Sequence, residues 1–267
     1  MEVIRYILLG LIQGFTEPLP ISSSGHIFIL KSIFNTTLFD DLNLEIFLNF
    51  ASFIAILFIY RKEVVKLNKG FFNYIKSKKN KTEFNYVMKI IIATIPVGIF
   101  GLIVKNPLEK LLSENIFFVG FGFLFTAVAL LLASNVNGKK EDKDITVKDA
   151  IIIGLFQAIS VIPGISRSGL VLVASLLRGL DNKSAIKYTF MLYFPVSIAS
   201  MLLGLKDVTA TSIDLLSLFY YLIGMAFASI MTYISYKLLT RLVEKNNLWK
   251  FSIYIFAIAL FTIMFFI

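Results

Sequence analysis

The 267-residue sequence contains no cysteine and only one histidine. The lack of cysteine excludes disulfide bonds and thiolate metal centres. Charged residues make up only 16% of the chain, and the 17 Asp and Glu are outnumbered by 26 Lys and Arg, which gives a formal net charge of +9. Because acids and histidine are so scarce, each one inside an apolar segment is a candidate functional residue.

Apolar residues dominate the composition. They make up 57% of the chain, above the about 45–50% of a soluble domain, and the mean hydropathy is +0.81. We therefore predict a multi-pass membrane protein. The basic residues lie in short loops between apolar runs, which is the positive-inside pattern. The positive charge is thus explained without nucleic acid, and we expect no nucleic-acid partner.

An internal repeat organises the chain. Residues 10–26 read GLIQGFTEPLPISSSGH and residues 154–170 read GLFQAISVIPGISRSGL, so the two copies align without a gap at a constant offset of 144. Seven of the seventeen positions are identical, which indicates an internal duplication.

The two copies differ in polarity at three positions. The first copy has Glu17, Ser23 and His26 where the second has Val161, Arg167 and Leu170. Neither copy alone supplies a phosphate-handling site, but together they provide an acid, an imidazole, hydroxyls and a guanidinium. We therefore predict that the two copies meet in space.

Each copy is expected to form a re-entrant hairpin. The apolar run before Gln13 is about eleven residues, roughly 16 Å as a helix, or about half of a 30 Å hydrocarbon core. Pro18 and Pro20 then break the helix, and the serines after them supply N-cap residues for a second short helix at about 24–33. The second hairpin is expected at about 150–180, with its break at the Pro-Gly pair.

Full-length apolar runs predict six membrane spans, at about 44–60, 86–104, 116–133, 185–205, 216–236 and 248–267. Each half then has one hairpin and three spans, with repeat one at about 1–134 and repeat two at about 145–267. A hairpin returns to the face it entered, and three spans cross to the opposite face, so the halves must be inverted. The predicted fold is one membrane domain over 1–267, all-α and polytopic, built from two inverted-topology repeats.

Loop charges orient this fold. The loop expected at 61–85 carries eight Lys or Arg, and the loop at 135–149 lies on the same face. Both are cytoplasmic by the positive-inside rule. The first hairpin then enters from outside and the second from the cytoplasm. Pro96 and Pro195 fall within spans, where we interpret them as ordinary helix irregularities.

The hairpin tips carry groups suited to an anion. The second helix of each hairpin starts at the tip, so its free N–H groups and positive dipole end point toward the bilayer centre. Arg167 adds a planar, permanently charged fork that suits phosphate oxygens. The predicted phosphate-binding set is Ser22, Ser24, Gly25, Gly164, Ser166, Arg167 and Ser168.

Glu17 and His26 are the candidate reactive groups. Glu17 lies one helical turn after Gln13, and an acid within the membrane is by default a functional hypothesis; the alternative is a structural ion pair with Arg167. His26 follows three serines and a glycine, where proton transfer or nucleophilic attack is favoured over a buried structural role. Two polar residues of the first span, Glu45 and Asn49, are interpreted as solvated surface, with a role at the rim of the site as the alternative.

At QGFTEPLPISSSGH and PGISRSG the sequence resembles the undecaprenyl-pyrophosphate phosphatases of the bacitracin-resistance type. The family's first motif is a Glu or Gln and a Glu separated by three residues, then Ser-Ser and a His, and it is matched by Gln13, Glu17, Ser22, Ser23 and His26. The second motif, Pro-Gly-x-Ser-Arg-Ser-x-x-Thr, is matched by Pro163, Gly164, Ser166, Arg167 and Ser168, with Val171 in place of the final threonine. The likeness extends to the span pattern and covers essentially the whole chain.

The resemblance implies hydrolysis of a polyprenyl diphosphate lipid to the monophosphate and inorganic phosphate, which recycles the lipid carrier of envelope and peptidoglycan synthesis and gives bacitracin resistance. It also implies a divalent cation, Mg²⁺ or Ca²⁺, near Glu17 and Gln13, and a site that opens to the extracytoplasmic side. A homodimer is compatible with this assignment. The expected catalytic residues are Glu17, Ser23, His26 and Arg167. The favoured nucleophile is Ser23, activated by Glu17 or His26, ahead of His26 itself and of a metal-bound water.

A function of another class is also open at this point. Inverted repeats with broken helices are typical of secondary transporters, so a polyprenyl-phosphate flippase is the alternative. A flippase needs the anion site but no nucleophile. The cluster of Glu17, Ser23 and His26 therefore favours the enzyme.

Overall fold

The structure, a computed structural model, describes residues 2–34, 42–114, 117–208 and 214–266. These residues form ten α-helices and no β-strand, which confirms the all-α prediction. The helices are α1 Glu2–Thr16, α2 Ser23–Phe34, α3 Leu42–Ser77, α4 Lys81–Glu114, α5 Phe117–Ala133, α6 Val147–Ile159, α7 Arg167–Leu177, α8 Asn182–Val208, α9 Leu215–Glu244 and α10 Trp249–Phe266.

Five helices of the described chain are long and apolar enough to cross a membrane, within α3, α4, α8, α9 and α10. The protein is therefore a multi-pass membrane protein. The remaining predicted span coincides with α5, which is apolar but only 17 residues long, or about 26 Å as a helix. The expected bounds Ile116 and Ile267 lie outside the described residues. The inversion of the two halves stays a prediction.

The prediction of a loop at 61–85 is wrong. Helix α3 continues to Ser77, and α4 begins at Lys81. Lys and Glu are good helix formers, so a run of charge does not by itself end a helix. The two extensions pack through aromatic rings, because Phe84 lies 5.3 Å from Phe71 and 4.3 Å from Tyr74 between ring centroids. The turn between them uses left-handed backbone at residues 78 and 80.

Four helices are too short to cross a bilayer, as the sequence predicts. Helices α1 and α2 have 15 and 12 residues, and α6 and α7 have 13 and 11, against the roughly 20 that a span needs. Each pair forms one of the two hairpins. The hairpins are seated alike, since Gly10 of α1 lies against the backbone of Gly224 in α9 and Gly154 of α6 lies against Ala93 in α4. Gly10 and Gly154 are equivalent positions of the repeat.

A buried ion-pair cluster fixes the base of the second hairpin. Asp149, in the first turn of α6, is fully buried and accepts hydrogen bonds from Arg178 at 2.7 Å and Lys140 at 3.2 Å. Burial alone would raise the pKa of Asp149, but hydrogen bonds from Thr146, Arg178 and Lys140 outweigh it and lower that pKa to about 2. The start of α6 is thus tied to the residue after α7. The ion pairs therefore hold α6 and α7 together at the end of the hairpin that is opposite the tip.

Candidate functional site

The tips of the two hairpins are in contact. The Ser168 hydroxyl of the second hairpin donates to the Leu19 carbonyl of the first at 2.9 Å. Gly25 lies so close to the second tip that an added Cβ would be 3.2 Å from the Gly164 Cα. The expected approach of the two sequence copies is confirmed.

Glu17 and Ser23 form a close pair within the first hairpin. The Ser23 hydroxyl donates to the Glu17 Oε2 atom at 2.6 Å, and the Gln13 amide donates to the same oxygen at 3.1 Å. Both Glu17 and Ser23 are half-buried. A short hydrogen bond from a hydroxyl to a carboxylate is the arrangement that lets the carboxylate take the proton as the oxygen attacks.

Asn49 belongs to this site, so its interpretation as solvated surface is wrong. The Gln13 amide nitrogen donates to the Asn49 Oδ1 atom at 2.6 Å, because α3 packs against α1 and turns this face of α3 inward. Its neighbour one turn earlier, Glu45, is exposed as expected, but it also interacts electrostatically with Glu17. The sequence signal was available as a polar residue in an apolar span, but sequence alone could not say which way that face points.

His26 is held at both ring nitrogens and is separate from the Glu17–Ser23 pair. Its Nδ1 atom lies 2.8 Å from the Ser22 carbonyl, and its Nε2 atom lies 3.0 Å from the Tyr254 hydroxyl. A carbonyl can only accept, so Nδ1 carries the proton and Nε2 of the neutral ring accepts from Tyr254. Among the described residues, His26 makes no hydrogen bond to Glu17 or Ser23. Activation of Ser23 by His26 is therefore not the arrangement present.

Ser22 adopts a backbone conformation that favours glycine. Its φ angle is 65°, which costs about 1 kcal/mol or more for a residue with a side chain. The His26 ring helps to hold this turn, together with the His26 amide, which donates to the Ser22 carbonyl at 3.2 Å. Residues held in such conformations cluster at functional sites. Ser24, two residues on, is exposed at the tip, and its hydroxyl lies 3.5 Å from that of Ser22.

The second tip presents Arg167 at the start of α7. Ser166 is buried and caps this helix, with its hydroxyl accepting from the Gly169 amide at 3.1 Å. Gly164 has a φ angle of 84° and lies directly against the backbone of α5, so only glycine fits there. Arg167 is half-buried and has no ion-pair or side-chain hydrogen-bond partner within the described chain. The alternative of a structural Glu17–Arg167 ion pair is not present.

An unpaired guanidinium beside two helix N-termini can receive an anion. We expect Arg167→Lys to lower activity at least about tenfold, because lysine keeps the charge but loses the two-pronged contact with phosphate oxygens. This corresponds to about 1.4 kcal/mol of transition-state stabilisation. The measurement is kcat/KM for phosphate release, with Arg241→Lys at the exposed end of α9 as control. Near-native activity of Arg167→Lys would contradict the anion-binding role.

The residues around Glu17 can hold a divalent cation only in part. The buried Gln13 Oε1 atom has no hydrogen-bond partner in the structure as described, and it is an oxygen of the kind that Mg²⁺ and Ca²⁺ bind. Among the described residues, no three or more His, Asp or Glu side chains are grouped so that they could hold a metal ion. A cation here would therefore use the Glu17 carboxylate, the Gln13 amide oxygen and oxygens of substrate and water, which is how Mg²⁺ is often bound.

An apolar cavity of about 460 Å³ adjoins His26. It lies between both helices of the first hairpin and helices α9 and α10, and its lining includes Leu11, Phe15, Ile29, Met231, Tyr254 and Ile258. The site thus combines polar hairpin tips with an apolar surface next to the histidine.

Known proteins resemble this sequence over nearly the whole chain. The family described as bacitracin resistance protein BacA matches residues 6–261. Undecaprenyl-diphosphatase 1 of Bacillus cereus is 39% identical over 266 residues, covering 98% of this chain and 97% of the relative. Undecaprenyl-diphosphatase of Oceanobacillus iheyensis is 38% identical over 98% of this chain and 96% of its own length. On the family match and these full-length identities, the chain belongs to the bacitracin resistance protein BacA family.

Proposed function

We propose that this protein is an integral-membrane phosphatase that hydrolyses undecaprenyl (polyprenyl) diphosphate to the monophosphate and inorganic phosphate. The observation that carries the proposal is the 2.6 Å hydrogen bond from Ser23 to Glu17, at a hairpin tip that contacts the tip bearing the unpaired Arg167. Relatives named undecaprenyl-diphosphatase over the whole length support it. The reaction returns the lipid carrier for envelope synthesis and underlies bacitracin resistance.

Ser23 is the nucleophile of the proposed reaction. Its Oγ atom attacks the terminal phosphorus, and its proton passes to the Glu17 Oε2 atom. The bond from that phosphorus to the bridging oxygen breaks, and the polyprenyl monophosphate leaves with the electron pair and receives the proton from Glu17. Ser23 is left as a phosphoserine.

Hydrolysis of the phosphoserine completes the turnover. Water attacks the phosphorus and gives a proton to Glu17. The bond between phosphorus and Ser23 Oγ breaks, inorganic phosphate leaves, and Glu17 returns the proton to Oγ. Glu17 thus serves as base and acid in both steps. The hydrogen bond between its carboxylate and the Ser23 hydroxyl allows this role.

Arg167 and the N-termini of α2 and α7 balance the charge of the diphosphate. The guanidinium has no competing partner in the described part of the chain, so it is free to bind phosphate oxygens as charge moves to the leaving group. His26 is the alternative nucleophile, but its Nε2 lone pair is engaged by Tyr254. Its role in the favoured mechanism is to hold the Ser22 turn from which Ser23 enters α2.

A divalent cation, Mg²⁺ or Ca²⁺, would be held by the Glu17 carboxylate and the Gln13 amide oxygen. When bound, it supplies positive charge that stabilises the transferring phosphoryl group. The unpartnered Gln13 Oε1 atom supports this assignment.

The lipid is proposed to enter sideways from the membrane. The apolar cavity beside His26 supports this, because it can take the first units of a prenyl chain while the diphosphate reaches the hairpin tips. We propose that the site opens to the extracytoplasmic side of the cell membrane. The basic residues concentrate where α3 ends and α4 begins and between α5 and α6, and such a concentration is typical of the cytoplasmic face. A homodimer stays a prediction.

The direct test is phosphate release by the purified protein with a prenyl diphosphate. We expect release with Mg²⁺ or Ca²⁺ and a loss of at least about tenfold on chelation with EDTA, because the cation supplies part of the charge balance. A polyprenyl-phosphate flippase would move the monophosphate in vesicles and release no phosphate. No release above a protein-free control, with either cation and several prenyl diphosphates, would overturn the phosphatase.

A further inference from the structure

The turn that precedes Arg167 is seated on one face of α5. Gly164 lies directly against the carbonyl of Val119, and Gly122 lies directly against the carbonyl of Pro163. A Cβ on Gly122 would also lie 2.9 Å from the Gly164 Cα, closer than a side chain tolerates. The turn and the helix therefore touch backbone to backbone, which leaves little freedom for the turn to shift.

The Thr126 hydroxyl adds hydrogen bonds to this contact between α5 and the turn. The side chain is fully buried, and its Oγ1 atom accepts a hydrogen bond from the Ser166 amide at 3.1 Å. The single hydroxyl proton is shared between two acceptors, the Gly122 carbonyl at 3.0 Å and the Gly164 carbonyl at 3.2 Å. One hydroxyl thus joins both sides of the turn to α5.

The position of Thr126 on α5 explains why it meets the turn. Val119, Gly122 and Thr126 are spaced three and four residues apart, so they share one face of the helix. A neighbour on α5, Phe123, contacts the other hairpin: its ring meets the His26 ring edge-on at 5.3 Å between centroids and closely covers Gly25. Helix α5 therefore sets both hairpin tips against each other.

We propose that Thr126 is a positioning residue for Arg167, which rests on the proposed phosphatase function. Ser166, whose amide Thr126 holds, directly precedes Arg167. Without the hydroxyl, the buried Ser166 amide and Gly164 carbonyl lose a partner, which disfavours the present turn. The guanidinium is then displaced from the diphosphate, although Thr126 itself touches no substrate.

The test uses two substitutions that separate shape from hydrogen bonding. Thr126→Val keeps the shape and removes the hydroxyl, and we expect kcat/KM for phosphate release to fall about tenfold. Thr126→Ser keeps the hydroxyl, and we expect activity within about twofold of the native protein. Thr262→Val is the matched control, because in the described part of the chain the buried Thr262 hydroxyl on α10 bonds to the Ile258 carbonyl of its own helix and to no other element.

A double substitution distinguishes positioning from general stability. If Thr126 acts through the guanidinium, Thr126→Val should cost about twofold or less once Arg167→Lys is present. Full additivity of the two effects, or native activity of Thr126→Val, would overturn the proposal. If Thr126→Val does not fold, Thr126→Ala carries the same expectation. Failure of both to fold, with Thr126→Ser folded, would assign the hydroxyl to stability and overturn the positioning role.

The inference can fail separately from the proposed function. Binding of inorganic pyrophosphate to the purified protein, followed by calorimetry, does not require turnover. We expect Thr126→Val to weaken this binding several-fold and Thr126→Ser to leave it unchanged. Absence of phosphate release by the native protein would overturn the phosphatase. Unchanged pyrophosphate binding in folded Thr126→Val would overturn the role of Thr126.

Discussion

Replacing Glu17 by Gln is expected to lower phosphate release at least about a hundredfold, the scale of losing a general base. Glutamine has nearly the same shape, so the packing at the hairpin tip is kept. Its amide, however, takes no proton from Ser23, and its nitrogen would meet the Gln13 amide, which now donates to Glu17 at 3.1 Å. The measurement is kcat/KM with a prenyl diphosphate under saturating Mg²⁺ or Ca²⁺.

Glu2→Gln is the matched control for this substitution. Glu2 lies on the same helix and is exposed, and within the described residues its ion pair is with Arg5 one turn away, so its loss should leave activity within about twofold. Pyrophosphate should still bind to Glu17→Gln, since Arg167 and the helix N-termini are unchanged. Phosphate release by Glu17→Gln within tenfold of the native protein would contradict Glu17 as the base.

Replacing Ser23 by Ala is expected to have the largest effect, about a thousandfold or more, on the scale of removing a nucleophile. Alanine keeps the start of α2 but removes the Oγ atom that lies 2.6 Å from Glu17. A second serine of α2 provides the control. The hydroxyl of Ser32 donates to the Phe28 carbonyl of its own helix, so Ser32→Ala should retain native activity.

Trapping the phosphorylated protein distinguishes the three candidate nucleophiles. Rapid acid quench with a ³²P-labelled diphosphate should give an acid-stable phosphoserine on Ser23 if the proposed mechanism is right. A phosphohistidine on His26 would be lost in acid and survive in base, and it would point to the ring instead. Activity retained in Ser23→Ala, with no label on the native protein, would favour direct attack by water.

Part of the site can be predicted from the sequence. The Pro-rich break after Gln13 and the half-length runs around it predict a hairpin, because proline removes backbone donors and a short helix cannot cross a bilayer. The absence of an acid from the second copy, and of an arginine from the first, predicts that the copies must combine. The contact between Ser168 and Leu19 agrees with this prediction.

Other parts of the site had no usable sequence signal. Thr126 and Tyr254 sit in apolar helices, where threonine and tyrosine are common, and neither belongs to a repeated motif. Asn49 is recognisable as a polar residue in a span, but only the packing of α3 against α1 shows that it faces Gln13. In each case the function of the side chain depends on which helix packs against it, and periodicity gives a face without naming its neighbour.

The sequence by itself determined that the chain is a multi-pass all-α membrane protein with two short broken hairpins and one acid, one histidine and one arginine at their tips. Composition, helix length and proline act locally along the chain, so these features need no knowledge of distant contacts. Only the tertiary structure decided that Glu17 bonds Ser23 and not Arg167, and that His26 turns toward Tyr254. These hydrogen-bond partners are set by close backbone packing, such as that of Gly164 on α5. A hydrogen bond forms only over a narrow range of distances, so the packing of the helices decides which side chains can reach each other.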